Sequence, residues 1–312
     1  MTTPNTNTPS CLSMTTANGA PSQTDWTFNP VELSAQALAA IPADTSASAT
    51  LSMAAAGSTT EYSLFYSPSA NSISVCKQST GTILEATSTI NIDEPLDTMD
   101  VFYLGGLPYL STYASDSSYL NLYRINEDFT LRQVRNQYVG SGFTMMHVLP
   151  YRDTSCVVLY NGTTGDCVKY QISVPPYDGL SLTQVWSDSW AKTWGHFTFF
   201  GFGGENFFLK INQQHEKVNI DHFMDDPDEG SHPVLSKNAS HSLLNAAAIS
   251  GFQGSEGQAY FLIYQSDGSL SLNSIYPNCL GWWSLGSTQT ADNAKTLHTM
   301  TIANTPYLLL LN

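Results

Sequence analysis

Six stretches of the sequence align on one another, and the alignment places a polar residue at one position of five otherwise apolar runs. Histidine can transfer a proton or exchange hydrogen bonds near neutral pH, and a neighbouring carboxylate or amide can hold it in one orientation. We therefore interpret His147 and His298 as hydrogen-bonding catalytic residues, and Asp100 and Asn245 as the residues that orient them. The aligned column reads Met53, Asp100, His147, Thr198, Asn245 and His298.

Residues two positions away from this column share its face of a strand, because side chains alternate along a strand. A few polar groups that converge within apolar walls are the usual form of a small-molecule site. If the strand is the innermost of its sheet, the column lines a central tunnel, and its neighbours bind the substrate. The predicted substrate-binding residues are Thr98, Phe102, Met145, His196, Thr198, Phe200 and Met300.

Two other interpretations of the column remain open. Polar residues in a water-filled channel can simply satisfy one another's hydrogen bonds. His147, His196 and His298 could also form a zinc site, since three histidines ligate zinc in some enzymes. We favour a site without a metal.

The column belongs to a repeat, exemplified by the fourteen residues Asp100–Tyr113. The repeats end at Tyr66, Tyr113, Tyr160, Ile211, Tyr264 and Leu311, which are spaced by 47, 47, 51, 53 and 47 residues. Each repeat is an apolar strand, a short loop and a second apolar strand, and most continue with two more strand-like runs, such as Tyr119–Ile125 and Leu131–Asn136. This period and content predict an all-β fold, a β-propeller with six four-stranded blades.

Closure of the ring is predicted from both ends of the sequence. The sixth repeat stops at Asn312 after two strands, which would leave the apolar run Tyr307–Leu311 as an exposed edge. Two strand candidates, Ser10–Thr16 and Trp26–Leu33, precede the first repeat. We expect them to complete the sixth blade, so that residues 10–312 form one propeller domain after a disordered lead-in over residues 1–9.

Composition narrows the functional classes. The formal charge of −15 repels phosphate, so nucleic acid and anionic membranes are poor partners. There is no run of eighteen apolar residues and no signal-peptide pattern at Met1–Ser10. Five cysteines without metal or CxxC spacing indicate free thiols in a reducing compartment, and we expect a cytoplasmic protein. No nucleotide or metalloprotease motif occurs, so no cofactor is expected; the oligomeric state stays open.

Two further features have simple interpretations. The acidic run Asp225–Gly230 lacks the alternation of a calcium loop and contains Pro227, so we interpret it as a solvated connection between strands. Trp186, Trp190 and Trp194 are spaced by four, as on one helical face, but we favour a strand followed by a loop. The remaining histidines are interpreted as isolated: His215, His222, His232 and His241.

The order of strands in the third repeat resembles that of fungal six-bladed fucose-type lectins. It runs Phe143–Leu149, Ser155–Tyr160, Cys167–Ser173 and a strand that ends at Trp186. The resemblance implies the propeller topology over the whole chain and, as an alternative function, carbohydrate binding without catalysis. Those lectins bind sugar with a recurring Arg, Glu and Trp, whereas the second strands here contain no Arg and the third strands no Glu.

In its acidity, length and N-terminus, the chain also resembles the fungal propeller-fold hetero-Diels–Alderases of tropolonic sesquiterpenoid biosynthesis. This resemblance implies a pericyclase of secondary metabolism that joins a tropolone-derived o-quinone methide to a polyene sesquiterpene alcohol, giving a meroterpenoid. Such chemistry needs no cofactor. It needs orientation, an apolar wall and a hydrogen-bond donor that lowers the energy of the heterodiene.

Overall fold

The computed structural model describes residues 8–16, 26–55, 58–151, 154–175, 179–254, 257–290 and 293–311. Strands dominate these residues, and two short helices interrupt them. In chain order the elements are β1 (Ser10–Thr16), β2 (Trp26–Val31), α1 (Ala35–Ala40), β3 (Ala47–Ala55), β4 (Ser58–Ser67), β5 (Ser72–Ser79), β6 (Ile83–Asn91), β7 (Thr98–Leu104), β8 (Leu107–Ala114), β9 (Tyr119–Ile125), β10 (Leu131–Tyr138), β11 (Met145–Pro150), β12 (Ser155–Tyr160), β13 (Asp166–Ser173), β14 (Ser181–Ser189), β15 (His196–Phe202), β16 (Glu205–Asn212), β17 (Lys217–Phe223), β18 (Ser231–Asn238), α2 (His241–Leu244), β19 (Ala246–Gln253), β20 (Ala259–Gln265), β21 (Ser269–Ile275), β22 (Trp282–Gln289), β23 (Thr296–Ile302) and β24 (Thr305–Leu311).

The strands form six four-stranded antiparallel sheets arranged in a ring, which confirms the predicted six-bladed propeller. Blade 1 contains β3–β6, and blades 2 to 5 follow with four consecutive strands each. Blade 6 combines β23 and β24 with β1 and β2. The first strand of each blade is innermost and lies beside the first strand of a neighbouring blade.

The sixth blade is closed by strands from both ends of the chain, as predicted. β1 pairs with β24 on one side and with β2 on the other, with Cys11 opposite both Leu309 and Val31. Leu308, Leu309 and Leu310 are consequently fully buried. The expected lead-in over residues 1–9 falls almost wholly outside the described residues.

The second strand of each blade is buried along most of its length, because a neighbouring blade covers each of its faces. Every residue of β12 is buried, and so are the last four residues of β24. The hairpins before β8 and β16 turn through Gly105-Gly106 and Gly203-Gly204, whose φ angles are positive at 58°, 76°, 63° and 89°. Two-residue hairpin turns of this kind require positive φ, which glycine adopts without strain.

A tyrosine at the end of the second strand joins three of the blades to the next one. Tyr113 donates a hydrogen bond to the Gly140 carbonyl at 2.9 Å and accepts one from the Phe143 N–H at 3.3 Å. Tyr160 repeats this arrangement one blade later, and Tyr66 likewise accepts from the N–H of Leu96. The tyrosines that mark the repeat in the sequence therefore hold the segment that leads into the following blade.

The three evenly spaced tryptophans lie in β14 and in the loop after it. β14 ends at Ser189, so Trp190 and Trp194 lie in the loop that follows, as the strand–loop interpretation predicted.

All five cysteines are free and buried, and burial raises the pKa of the Cys11 and Cys76 thiols to about 12. Within the described residues, no helix has the length and hydrophobicity needed to cross a bilayer.

Candidate functional site

A cavity of about 620 Å³ lies at the centre of the ring. All six inner strands, or the residues just before them, contribute to its wall. The contributing residues come from the beginnings of these strands, so the cavity belongs to the face of the propeller where the inner strands start. We call it the central cavity.

Asp100 and His147 meet in the wall of the central cavity. Asp100 Oδ2 lies 2.7 Å from His147 Nδ1 and also accepts a hydrogen bond from the Val148 N–H at 2.8 Å. The other carboxylate oxygen accepts from the Val101 N–H at 2.9 Å. The His147 ring stacks on Phe199 with 3.8 Å between ring centroids. The carboxylate and the imidazole are therefore fixed by three successive inner strands, β7, β11 and β15.

This arrangement determines which nitrogen of His147 can act on a ligand. An ionised carboxylate only accepts hydrogen bonds, so Nδ1 carries a proton and donates to Asp100. Nε2 is then a hydrogen-bond acceptor in the neutral ring and a donor in the imidazolium. About a quarter of the His147 side chain is exposed. The pair can therefore take up or donate a proton, or hydrogen-bond a polar group of a ligand, in the cavity.

His298 is placed differently from its prediction, since it lies between blades 6 and 1. Its Nδ1 is 3.1 Å from Ser48 Oγ and its Nε2 is 2.9 Å from Ser63 Oγ, and its ring packs against the edge of Phe65. Complete burial lowers the pKa of His298 to about 4. The imidazole is thus neutral near pH 7, and Ser48 stands between it and the central cavity.

Ser63 is the second hydroxyl partner of His298. Its Oγ lies 3.8 Å from the sulfur of Met300 and accepts a hydrogen bond from Gln78 Nε2 at 3.2 Å. A neutral imidazole has one N–H donor and one acceptor nitrogen, so His298 donates to one of Ser48 and Ser63 and accepts from the other.

Asn245 is not part of an inner strand, which corrects its predicted position. It follows α2 as the C-terminal cap, and its Nδ2 lies 2.9 Å from His241 Nε2. In blade 5 the anchor Tyr264 pairs with Ala248, as Tyr113 pairs with Thr98 in blade 2, so Ser250 occupies the position equivalent to Asp100. Ser250 Oγ is 3.3 Å from Thr299 Oγ1 in the next blade.

The first repeat also differs in register from the predicted column. Tyr66 pairs with Ala47, which makes Ala49 the structural equivalent of Asp100. Met53 instead lies near the far end of β3, in the wall of a separate cleft of about 660 Å³ between blades 1 and 2. The corrected column is Ala49, Asp100, His147, Thr198, Ser250 and His298.

Of the predicted substrate-binding residues, Thr98, Met145, His196 and Thr198 line the central cavity. Burial lowers the pKa of His196, and a hydrogen bond to the backbone of Ala246 opposes this effect. His147, His196 and His298 thus have separate partners instead of converging on one metal position.

The three predicted apolar walls are buried between blades instead. Phe102 stacks on Tyr109 at 5.2 Å and Phe200 stacks on Phe207 at 5.8 Å, both within hydrophobic cores. Met300 is buried with His298. These residues share the face of the column but lie closer to the far end of their strands, where that face packs on the next blade.

Sequence reasoning missed two residues that shape the site. Phe199 lies on the opposite face of β15 from Thr198 and supplies the ring on which His147 stacks. Ser48 precedes Ala49 of the corrected column and lies on the opposite face of β3 from it, so the column does not include Ser48 in either register.

Comparison with known proteins shows the fold and nothing finer. No protein-family profile matches the sequence, and no curated protein matches it. The structure is similar to a 6-phosphogluconolactonase-like protein from Bacteroides fragilis, with a TM-score of 0.54 and 13% identity over 97% of this chain and 87% of that chain. A protein from Lactobacillus plantarum has a TM-score of 0.52 and 11% identity over 92% and 84%.

A third structural neighbour is an exo-β-1,3-galactanase from Clostridium thermocellum. Its TM-score is 0.53 and its identity 10%, over 79% of this chain and 63% of that chain. At these identities the likeness extends to the propeller architecture alone. The chain is therefore a six-bladed β-propeller whose neighbours of related fold include proteins named as enzymes.

Proposed function

We propose that the central cavity binds an apolar small molecule and promotes its cyclisation. His147 is the catalytic residue in this proposal, and Asp100 is the residue that positions it. The observation that carries the proposal is the 2.7 Å contact between Asp100 Oδ2 and His147 Nδ1 in the cavity wall. It leaves one imidazole nitrogen available for a ligand and prevents the ring from turning.

The dimensions of the central cavity support this function. Its volume of about 620 Å³ lies within the ~300–1,000 Å³ that is usual for small-molecule sites. Its lining is mixed, with polar residues such as Thr98 and His147 beside apolar ones such as Met145, Phe199 and Ala248. A ligand held there would be oriented by the shape of the apolar residues and aligned by hydrogen bonds to the polar ones.

The specific reaction we propose is an intermolecular hetero-Diels–Alder cyclisation, as the resemblance to the fungal enzymes suggests. An o-quinone methide supplies the oxygen and carbon ends of a heterodiene, and a double bond of a sesquiterpene polyene supplies the dienophile. Two σ bonds form as π bonds are consumed, and no atom is lost. Donation from Nε2–H of the His147 imidazolium to the quinone-methide oxygen would lower the barrier, and the cavity walls would orient the partners.

His298 has an indirect part in this proposal. It forms a hydrogen bond with the hydroxyl of Ser48, which lines the central cavity, and so acts as a positioning residue. Asn245, at the end of α2, is left without a part in the reaction.

The experiment compares turnover of an o-quinone methide and a polyene sesquiterpene alcohol by the wild type and by His147→Ala and Asp100→Asn. Removing a preorganised donor typically lowers the rate by ~10²–10³-fold, and both variants should show a loss of this order or lose stereoselectivity. His215→Ala, which changes an exposed histidine of blade 4, is the matched control. Wild-type turnover in both cavity variants would exclude this mechanism, and absence of turnover by the wild type would exclude the reaction.

Carbohydrate binding without catalysis is the alternative. The galactanase neighbour acts on a galactan by its name, and the fucose-type lectins share the strand order. Calorimetric titration with fucose and galactose distinguishes the two functions. Binding of either sugar at millimolar affinity or better would favour the alternative.

A further inference from the structure

Three potential metal ligands converge on blade 4, away from the central cavity. Glu205 is the first residue of β16, His222 lies in β17, and Asp225 follows the end of β17 by two residues. Their ligand atoms all lie within 4.8 Å of one another. Phe207 pairs with His222 across the two strands, so Glu205 and His222 are on the same face of the blade.

The Nε2 atom of His222 lies beside the carboxylate of Glu205 without a hydrogen bond to it. Nε2 is buried and makes no hydrogen bond within the described part of the chain. Glu205 Oε2 lies 3.3 Å from it but outside hydrogen-bond geometry. The ring stacks on Phe207 at 4.6 Å, which holds its plane. A nitrogen lone pair held beside a carboxylate is stabilised only by a cation between them, either a proton or a metal ion.

We propose that Glu205, His222 and Asp225 bind a divalent transition cation of the Zn²⁺ type. One imidazole and two carboxylates are ligands that such ions accept, whereas Ca²⁺ and Mg²⁺ prefer oxygen ligands throughout. Ligand atoms around tetrahedral zinc lie roughly 3.5 Å apart, given bonds of about 2.1 Å. Rotation of the Glu205 and Asp225 side chains, which are exposed, closes the remaining distance.

The position of the site separates it from the proposed cyclisation. It lies beside the Gly203-Gly204 turn, where the inner hairpin of blade 4 ends, whereas the central cavity is lined by the beginnings of the inner strands. A bound ion would join β16 and β17 to the acidic run Asp225–Gly230. The other end of this run already rests on blade 3, where the Glu229 carbonyl accepts a hydrogen bond from Lys169 Nζ. The ion would thus fix the loop across the junction of blades 3 and 4.

The experiment titrates tag-free, chelator-treated full-length protein with Zn²⁺ by isothermal calorimetry, with Mn²⁺, Ca²⁺ and Mg²⁺ in parallel. One Zn²⁺ per chain should bind. Loss of a residue that only orients a metal ligand typically lowers metal affinity by ~10–100-fold. Glu205→Gln and His222→Gln each remove a proposed ligand itself, so each should lower the affinity for Zn²⁺ by at least this factor. Zn²⁺ should also raise the melting temperature of the wild type, and less so that of the variants.

Two substitutions serve as matched controls. Asp228→Asn removes a carboxylate from the same acidic run, and His215→Gln removes another exposed histidine of blade 4. Both should bind Zn²⁺ as the wild type does. The proposal is overturned if Zn²⁺ does not bind, if it binds equally well to the Glu205 and His222 variants, or if Ca²⁺ or Mg²⁺ binds more tightly. Since Glu205 is about half exposed, Glu205→Gln tests the site even if His222→Gln does not fold.

Discussion

His298 shows how burial decides what a histidine can do. Its imidazole is enclosed by Ser48, Ser63 and Phe65, and its hydrogen bonds are all to neutral hydroxyls. Burial without a counter-charge disfavours the imidazolium and lowers the pKa to about 4. His147, by contrast, is partly exposed and paired with a carboxylate. Two histidines from the same column of the repeat therefore have different chemistry.

This difference predicts a pH dependence of stability. The folded-state pKa of His298 is about 4, and the ordinary value is 6.5, so the unfolded chain binds the additional proton between these pH values. Stability should therefore fall as the pH drops from 6.5 to 4, by about 3 kcal/mol from this residue. The measurement is the free energy of unfolding from urea titrations at several pH values.

The comparison variant is His298→Leu, which fills the site without titrating. Carboxylates contribute to the pH dependence of both proteins, so the difference between them isolates His298. Identical pH dependence in the two proteins would contradict the burial of a neutral imidazole at this position.

At the scale of single elements, the junction of blades 3 and 4 contains a buried ion pair. Lys210 Nζ lies 2.7 Å from Asp221 Oδ2, and both side chains are 4% exposed. The ammonium also lies 4.1 Å from the ring centroid of Trp190. Burial lowers the pKa of Lys210, and Asp221 opposes this change by stabilising the charged form.

Removing one member of this pair should destabilise the fold strongly. Asp221→Leu leaves the buried ammonium without its counter-charge, which typically costs ~3–5 kcal/mol. The double variant Lys210→Met with Asp221→Leu removes both charges and should recover most of this loss. Urea unfolding of the wild type, the single and the double variant measures the effect. A double variant no more stable than Asp221→Leu would contradict the explanation.

The tyrosines that join successive blades lead to a second prediction at the scale of single elements. Tyr113→Phe removes the hydroxyl that satisfies the Gly140 carbonyl and the Phe143 N–H. The cost should be about 1–3 kcal/mol, since two backbone groups lose their partner. Tyr109→Phe is a matched control, because Tyr109 is also buried in β8 and its hydroxyl has no hydrogen bond within the described residues. Equal stability of the two variants would argue against this role.

At the scale of the whole molecule, stability depends on closing the ring with β1 and β2. These strands cover the edge of β24, where Leu308, Leu309 and Leu310 are buried. Deleting residues 1–35 should expose this edge, so that the protein aggregates or loses its cooperative melting transition. Deleting residues 1–7 leaves every described strand and is the control. Equal melting curves of the two deletion proteins would contradict the closure.

The repeat determined the architecture from sequence because its signals are local. Alternation within strands such as Tyr119–Ile125, glycine pairs at hairpins and a spacing near fifty residues each depend on a few neighbouring residues. The need to cover the apolar run Tyr307–Leu311 then predicted that Ser10–Thr16 joins it. Asp100, His147, Thr198, Thr98, Met145 and His196 were also placed at the central cavity, because the number of residues from the inner strand to the anchor residue is the same in their three repeats.

Only the tertiary structure decided the register of the other repeats and the surroundings of each side chain. The hairpin of blade 5 is shorter than the alignment of Asn245 requires, which replaces Asn245 by Ser250, and the longer hairpin of blade 1 replaces Met53 by Ala49. A shift of this kind costs little locally but moves a side chain into a different environment. Whether a residue of the inner strand faces the cavity or the next blade depends on how the blades pack. For that reason Phe102, Phe200, Met300 and His298 are buried in cores, and the convergence of Glu205, His222 and Asp225 has no signal in the sequence.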